Sequence, residues 1–379
     1  MSVAVAESRL LEAYARHDVT FVGGRGAWLV DDSGRRYLDF LAGIAVVSLG
    51  HLHPAPRAAA DAQLRKLWHT SNLYATEPAE RLAGLLSDRF GGARAFFCNS
   101  GTEAVEAALK YARKATGKPA VVALENSFHG RTVGALAATG QPAKRAAFEP
   151  LSPAVRFAGL NDPASLAAAV GPDTGAILLE PIQGEGGIHA ASPEFLAAAR
   201  ALADEYGALL VLDEVQTGVG RTGSFFAFER LEVRPDLVTL AKGLANGLPI
   251  GCLLVSDDAP AGFVPGDHGS TFGGNPVSCA AACAVVETVD DELLASVRSN
   301  GALLTAGLAA LGAVTEVRGR GLMLGAELDR PARPVVELAL AAGLLVGSAG
   351  DTVLRLTPPL TIDAAQVGLA LELLEEVLA

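Results

Sequence analysis

The chain has 379 residues, a formal net charge of −12 and a pI of about 5.1. Half its residues are hydrophobic and 19% are charged, which describes a globular chain long enough for more than one domain. The acidic balance, with no basic run and no basic–aromatic interleaving, excludes nucleic acid as a partner. No uninterrupted apolar stretch reaches the ~20 residues that span a bilayer, and the longest candidate, from Val335, contains Glu337. The opening residues, MSVAVAESRLLEAYARHD, lack a basic start followed by an apolar core and read as no signal peptide. Cys98, Cys252, Cys279 and Cys283 form no CxxC; the surroundings of Cys98, Cys252 and Cys279 suit buried free thiols, and a reducing cytoplasm is the natural compartment. No Cys/His cluster has zinc-ligand spacing, and His51-x-His53 before Pro54 reads as a turn, so no metal is expected.

Residues 1–25 read as a helical lead-in and a loop. Residues 26–40, GAWLVDDSGRRYLDF, read as a β-hairpin turning at Asp31–Gly34. A small-residue loop, Gly43–Val46, leads to the turn LGHLHP. Residues 76–90 form an amphipathic helix capped at Thr76, with Leu82, Leu85 and Leu86 on one stripe.

Residues 94–114, RAFFCNSGTEAVEAALKYARK, read as strand, turn and helix. The strand is Ala95–Cys98, and Ala104, Val105, Ala108, Leu109 and Ala112 repeat at helical spacing. The turn Asn99-Ser100-Gly101-Thr102 lies at the positive end of that helix, where free N–H groups make a phosphate cradle and two hydroxyls add donors. An ordinary capped helix start gives the same local pattern. After a strand at Val121–Leu124, residues 126–140 put Phe128, His129 and Arg131 on a glycine-flanked loop. A flat ring can stack on such an aromatic, and an arginine there can fork onto a carboxylate. Core packing for Phe128 and a solvated surface charge for Arg131 are the plainer alternatives.

GAILLEPIQGEGG, residues 175–187, is a buried strand ending at Glu180 and Glu185. The helix 192–207 starts at the cap Ser192 and Pro193. Then come two apolar runs. Leu209–Leu212 ends on Asp213, and Leu237–Leu240 leads to Lys242. Continuous apolar runs suit strands covered on both faces, and repeated strand–loop–helix order argues for a mostly parallel sheet. Ligands of such sheets bind outside the carboxyl ends of the strands. A lysine there can form a Schiff base, and a carboxylate can keep a pyridine nitrogen protonated. Together they describe a pyridoxal-phosphate (PLP) site. A strand from Cys252, the glycine-rich loop 266–276 and a helix from Pro276 to Val289 follow. The C-terminal part reads as a helix near 291–311, a strand pair around VRGRGLMLGAEL, a helix near 331–342, the strand TVLRLTPPL and a last helix from about 362.

With these residues in view, the chain resembles the class III (subgroup II) PLP-dependent aminotransferases, and within them the members acting on N-acetylornithine. The resemblance runs from about Tyr14 to the C-terminus. It rests on AGIAVVSLGHLHP, TSNLYATEP, FFCNSGTEAVEAALK, FHGRT, EPIQGEGG, LDEVQTGVGRTG, TLAKGLANGLPIG, HGSTFGGNP and LRLTPPL. It implies an α/β, fold-type I transferase with a large domain around a mostly parallel sheet and a smaller α+β domain. The expected divisions are 1–50, packing with the small domain, then 51–285, large, and 286–379, small. It also implies a homodimer with shared active sites.

The resemblance makes Lys242 the Schiff-base and proton-shuttling lysine and Asp213 the partner of the pyridinium nitrogen. Val215 and Phe128 would sandwich the ring, Gln216 would reach its phenolic oxygen, and Glu214 joins the cofactor contacts. Ser100, Gly101 and Thr102 would hold the phosphate with Thr271 of the neighbouring subunit, and Ser270 would line the substrate site. Arg131 would bind the α-carboxylate of N-acetylornithine. Arg355 would bind that of glutamate, with Glu185 as its gate. The implied reaction is ping-pong transfer from N-acetylornithine to 2-oxoglutarate, giving N-acetylglutamate 5-semialdehyde and glutamate, a step of arginine biosynthesis. Ala245-Asn246 departs from the family's glycines after the lysine. The loop Gly43–Val46 lacks a tyrosine to meet a free α-amine, which favours acylated ornithine over ornithine, 4-aminobutyrate or succinyl-diaminopimelate as donor. GVGRTG, residues 218–223, matches a dinucleotide fingerprint, but SFFAFERLEVRPD after it is no convincing helix. A catalytically silent protein of the same fold would have lost Lys242 or Asp213 most cheaply.

Overall fold

A computed structural model describes residues 9–152 and 154–379. At its centre lies a seven-stranded sheet in the order Ala93–Cys98, Gly251–Ser256, Leu237–Leu240, Leu209–Asp213, Thr174–Leu179, Ala120–Leu124, Val155–Ala158. Only Gly251–Ser256 runs antiparallel to its neighbours.

The apolar runs explain this sheet. Side chains along a strand alternate between faces. Leu209 and Val211 enter one buried cluster with Val105, Ala108 and Ala112 of the helix Gly101–Thr116. Leu210 and Leu212 enter the other, with Phe195, Leu196 and Ala199 of the helix Pro193–Tyr206. Both faces are therefore dry, so Leu209 to Leu212 are apolar without alternation. Because the flanking strands are parallel, their carboxyl ends deliver Asn99, Glu125, Glu180, Asp213 and the segment to Lys242 to one edge.

Two four-stranded sheets flank this core, besides a two-stranded ribbon, Ile182–Gln183 with His189–Ala190. One is ordered Phe21–Arg25, Trp28–Asp31, Arg36–Asp39, Leu344–Leu345, and the last strand brings the C-terminal part onto the N-terminal hairpin. The other is ordered Val314–Arg320, Met323–Leu328, Val353–Leu356, Gly347–Ala349. The helical lead-in expected over 1–25 is corrected by the structure. Residues 21–25 form a third strand on the hairpin, residues 9–20 contain no helix, and residues 1–8 lie outside the described residues. The helices Pro54–Leu64 and Pro163–Ala169 and the edge strand Val155–Ala158 carry weak sequence patterns and emerge only in the structure. His53 accepts the N–H of Ala55 through Nδ1 at the start of the first helix, and His51 pairs with buried Asp39 at 2.8 Å, so both histidines have structural partners. All four cysteines are free and buried, and burial pushes the Cys98 thiol up to about 12. Among the described residues no helix is long and apolar enough to cross a membrane, and no group of three or more His, Cys, Asp or Glu side chains is disposed to hold a metal ion.

Candidate active site

A cavity of about 410 Å³ opens at the carboxyl edge of the sheet, lined by Ser100, Gly101, Thr102, Phe128, Arg131, Asp213, Val215, Gln216 and Lys242 among others. Residues far apart in the chain thus share one wall because parallel strands end side by side.

Asp213 is buried and held from three directions. Oδ1 accepts the Thr239 hydroxyl at 2.9 Å and the Val215 N–H at 3.1 Å, and Oδ2 lies 2.7 Å from Nδ1 of His129. Burial works against a charged His129 ring, yet the hydrogen bond and charge of Asp213 together with the charge of Glu180 raise its pKa above the ordinary value. Glu180, also buried, accepts the N–H of Phe128 and of Gly184, both at 3.0 Å, and so fixes both loops. Burial pushes its pKa up to about 7.

Lys242 follows its strand in a 3₁₀ turn with φ of +40°, an unusual conformation for a side-chain-bearing residue. Burial, helped by the charge of Arg355, lowers its pKa to about 8. A lysine in that range supplies a neutral amine near physiological pH, as a nucleophile or proton carrier must.

The turn 99–102 differs from expectation in its hydroxyls. Ser100 donates to Oε2 of Glu103 at 2.8 Å, and Oγ1 of Thr102 lies 2.8 Å from that of Thr132 while accepting the Thr132 N–H at 3.2 Å. The backbone N–H groups of Gly101 and Thr102 start a helix and have no acceptor within it. These free N–H groups, with a helix dipole behind them, suit an anion. A Cβ on Gly101 would lie 2.7 Å from Cγ1 of Val215, so the turn approaches the cavity wall as only glycine can.

Other residues fall unequally. Arg131 and Lys144 lie over the Phe128 ring, Cζ at 5.6 Å and Nζ at 4.9 Å. Arg355 is buried and pairs with Glu185 through a short contact while donating to the Gly184 carbonyl at 3.2 Å. Neither lines the cavity itself. Glu214 does not line it either. Its carboxylate accepts the N–H groups of Ala227 and Phe228 at 2.8 and 3.0 Å, a structural task. Ser270 hydrogen-bonds Asn99 at 3.2 Å at the rim, and Thr271 is exposed away from this chain's cavity. The expectation missed His129, Thr239 and Glu180 as partners of the site. His129 stands beside Phe128 in FHGRT, but its partner is 84 positions away and leaves no local signal.

The sequence profile of the class-III aminotransferases matches residues 13–378. The chain belongs to the class-III aminotransferase family. The acetylornithine aminotransferase of Corynebacterium efficiens is 48% identical over 382 residues, covering 98% of this chain and 95% of its own. That of Aquifex aeolicus is 46% identical, covering 97% and 99%. Among solved structures, the ornithine aminotransferase of Toxoplasma gondii superposes with a TM-score of 0.92 at 32% identity, covering 98% of this chain and 92% of its own. The N-acetylornithine aminotransferase of Stenotrophomonas maltophilia superposes at 0.83 with 37% identity and 96% coverage of each chain. This aminotransferase depends on PLP, and the residues fit that group. The backbone cradle suits its phosphate, buried Asp213 a protonated ring nitrogen, and Val215 and Phe128 its flat faces. Buried Oε1 of Gln216, on the cavity wall, has no partner among the described residues. The dinucleotide reading of GVGRTG falls, because the segment after it forms only a 3₁₀ turn, Ala227–Arg230.

Proposed function

We propose that this aminotransferase moves the terminal amino group of N-acetylornithine to 2-oxoglutarate, giving N-acetylglutamate 5-semialdehyde and glutamate, as a homodimer. The observation that carries the reading is the pairing, in one cavity, of a lysine with its pKa lowered to about 8 and a carboxylate held by three donors. The choice of donor rests on the names of relatives 46–50% identical along nearly the whole chain.

When bound, PLP supplies the electron sink that makes the amine-bearing carbon acidic. Lys242 would hold the cofactor at rest and, once released, would carry the proton between the two ends of the transfer. Asp213 would pair with the ring nitrogen and keep it protonated, with His129 behind it holding the carboxylate in place. The N–H groups of Gly101 and Thr102 would hold the phosphate, and Val215 and Phe128 would sandwich the ring between them. Arg131 takes the α-carboxylate of the acetylated donor. Arg355 takes that of glutamate or 2-oxoglutarate once Glu185 swings aside; the charge of Arg355 holds Glu185 ionised against the cost of burial, so the gate is an ion pair.

Two features favour an acylated donor and a dimer. No tyrosine lines the cavity among the described residues, so a free α-amine finds no phenol there. Trp68, Leu73, Tyr74 and Phe272 are 60–85% exposed on segments tied together by Asn72 and Asn275, an apolar face that a second copy would cover. That face carries Thr271, which would then reach the partner's phosphate, with Ser270 at the substrate rim. The buried thiols suit a reducing compartment such as the cytoplasm.

The test is the visible spectrum of the purified holoenzyme. Bleaching by N-acetylornithine and recovery with 2-oxoglutarate supports both halves of the reaction. A band that ignores N-acetylornithine but bleaches with ornithine overturns the choice of donor.

A further inference from the structure

The four residues Ala42–Ala45 form a left-handed turn, with φ of 50°, 64°, 65° and 62°. Only Gly43 adopts this conformation freely, and for β-branched Ile44 it is a genuine outlier. Such a turn persists only where its surroundings hold it. Asp39 holds the entry, accepting the N–H groups of Leu41 and Ala42 through Oδ1 at 3.0 and 2.7 Å, and the Thr357 hydroxyl takes the Leu41 carbonyl at 2.8 Å. The exit is held from the lysine turn. Asn246 accepts the Leu49 N–H through Oδ1 at 2.7 Å and donates through Nδ2 to the Gly50 carbonyl at 2.9 Å.

Both Leu49 and Gly50 are buried, so these two backbone groups need partners. The amide has one orientation that serves an N–H and a carbonyl together. Asn246 also sits at φ of 50°, which asparagine tolerates and glycine would accept. A glycine there keeps the backbone and loses both bonds, and an aspartate keeps only the acceptor. The clamp lies between cavity walls. Val46 lines the cavity three residues before Leu49, and Lys242 and Gly247 line it on either side of Asn246. The segments are in close contact, since a Cβ on Gly243 would collide with the Ser48 hydroxyl.

We infer that Asn246 is a positioning residue for the amino donor: it ties the strained turn 42–45, and with it Val46, to the turn that carries Lys242. The inference rests on the aminotransferase reading of this cavity. The asparagine does not line the cavity, and its effect passes through the position of Val46.

The experiment compares wild-type holoenzyme with Asn246→Gly and Asn246→Asp by hydrogen–deuterium exchange over residues 41–50 and by steady-state kinetics. Asn246→Gly is expected to speed exchange in that segment and raise KM for N-acetylornithine roughly tenfold, the scale of one lost clamp, with kcat and PLP affinity little changed. Asn246→Asp restores part of the protection, because the Leu49 N–H regains its acceptor. Unchanged exchange in Asn246→Gly overturns the clamp. Faster exchange with unchanged KM overturns the positioning role. Failure of the wild-type enzyme to accept N-acetylornithine counts against the proposed donor, and the KM comparison is then made with the donor it does accept.

Discussion

His129 and Asp213 meet 2.7 Å apart with both side chains buried, on a loop and a strand that come together only at the carboxyl edge of the sheet. Removing one partner of a buried hydrogen bond leaves the other unsatisfied, a loss of about 1–3 kcal/mol. His129→Ala is therefore expected to lower the melting temperature and weaken PLP binding. The folded pKa of His129 is raised above its ordinary 6.5. Its stabilising contribution is thus complete below pH 6.5 and fades as pH rises through the raised value. Melting curves of both proteins across pH 5.5–9 check this: the gap between them should narrow on the alkaline side.

Lys242, with its pKa lowered to about 8, takes up cofactor as a free amine. The rate of covalent PLP loading should rise through a midpoint near pH 8, well below the ordinary lysine value, as followed by growth of the visible band. Lys242→Ala should fold and bind PLP without the covalent link, with transamination reduced roughly 10³-fold or more.

Glu185 covers Arg355 by a direct ion pair. Glu185→Ala should leave the guanidinium free and favour glutamate over N-acetylornithine as donor, measured as a ratio of kcat/KM values. Arg355→Lys should raise KM for 2-oxoglutarate by roughly 10- to 100-fold, because an ammonium cannot replace a bidentate fork.

Gly101→Ala places a methyl group 2.7 Å from Val215. Either the phosphate turn or the ring wall must move, so PLP affinity should fall about tenfold or more while the melting temperature of the cofactor-free protein changes little. Titration followed by absorbance measures the first and calorimetry the second.

Trp68 and Tyr74 are 68% and 70% exposed in the single chain. If the proposed homodimer uses this face, charged replacements, Trp68→Asp with Tyr74→Asp, should shift sedimentation from dimer to monomer and lower PLP affinity.

The sequence by itself determined the sheet strands that carry the site, the helix behind the phosphate turn, and Lys242 and Asp213 as the pair to watch. These features are local: continuous apolar runs report burial on both faces, and strand–turn–helix order reports a parallel crossover. It also named the family through contiguous motifs. It did not determine which side chains those motifs would spend on one another. Ser100 and Thr102 looked like phosphate donors, yet their hydroxyls serve Glu103 and Thr132. Glu214 stood next to Asp213 in the chain, but successive residues near a strand end point opposite ways, and its carboxylate holds Ala227 and Phe228 instead. The His129–Asp213 and Asn246–Leu49 contacts join residues 84 and 197 positions apart. Only the tertiary structure decided these, because hydrogen bonds between distant segments depend on where parallel strands and their loops end in space, and no spacing along the chain encodes that.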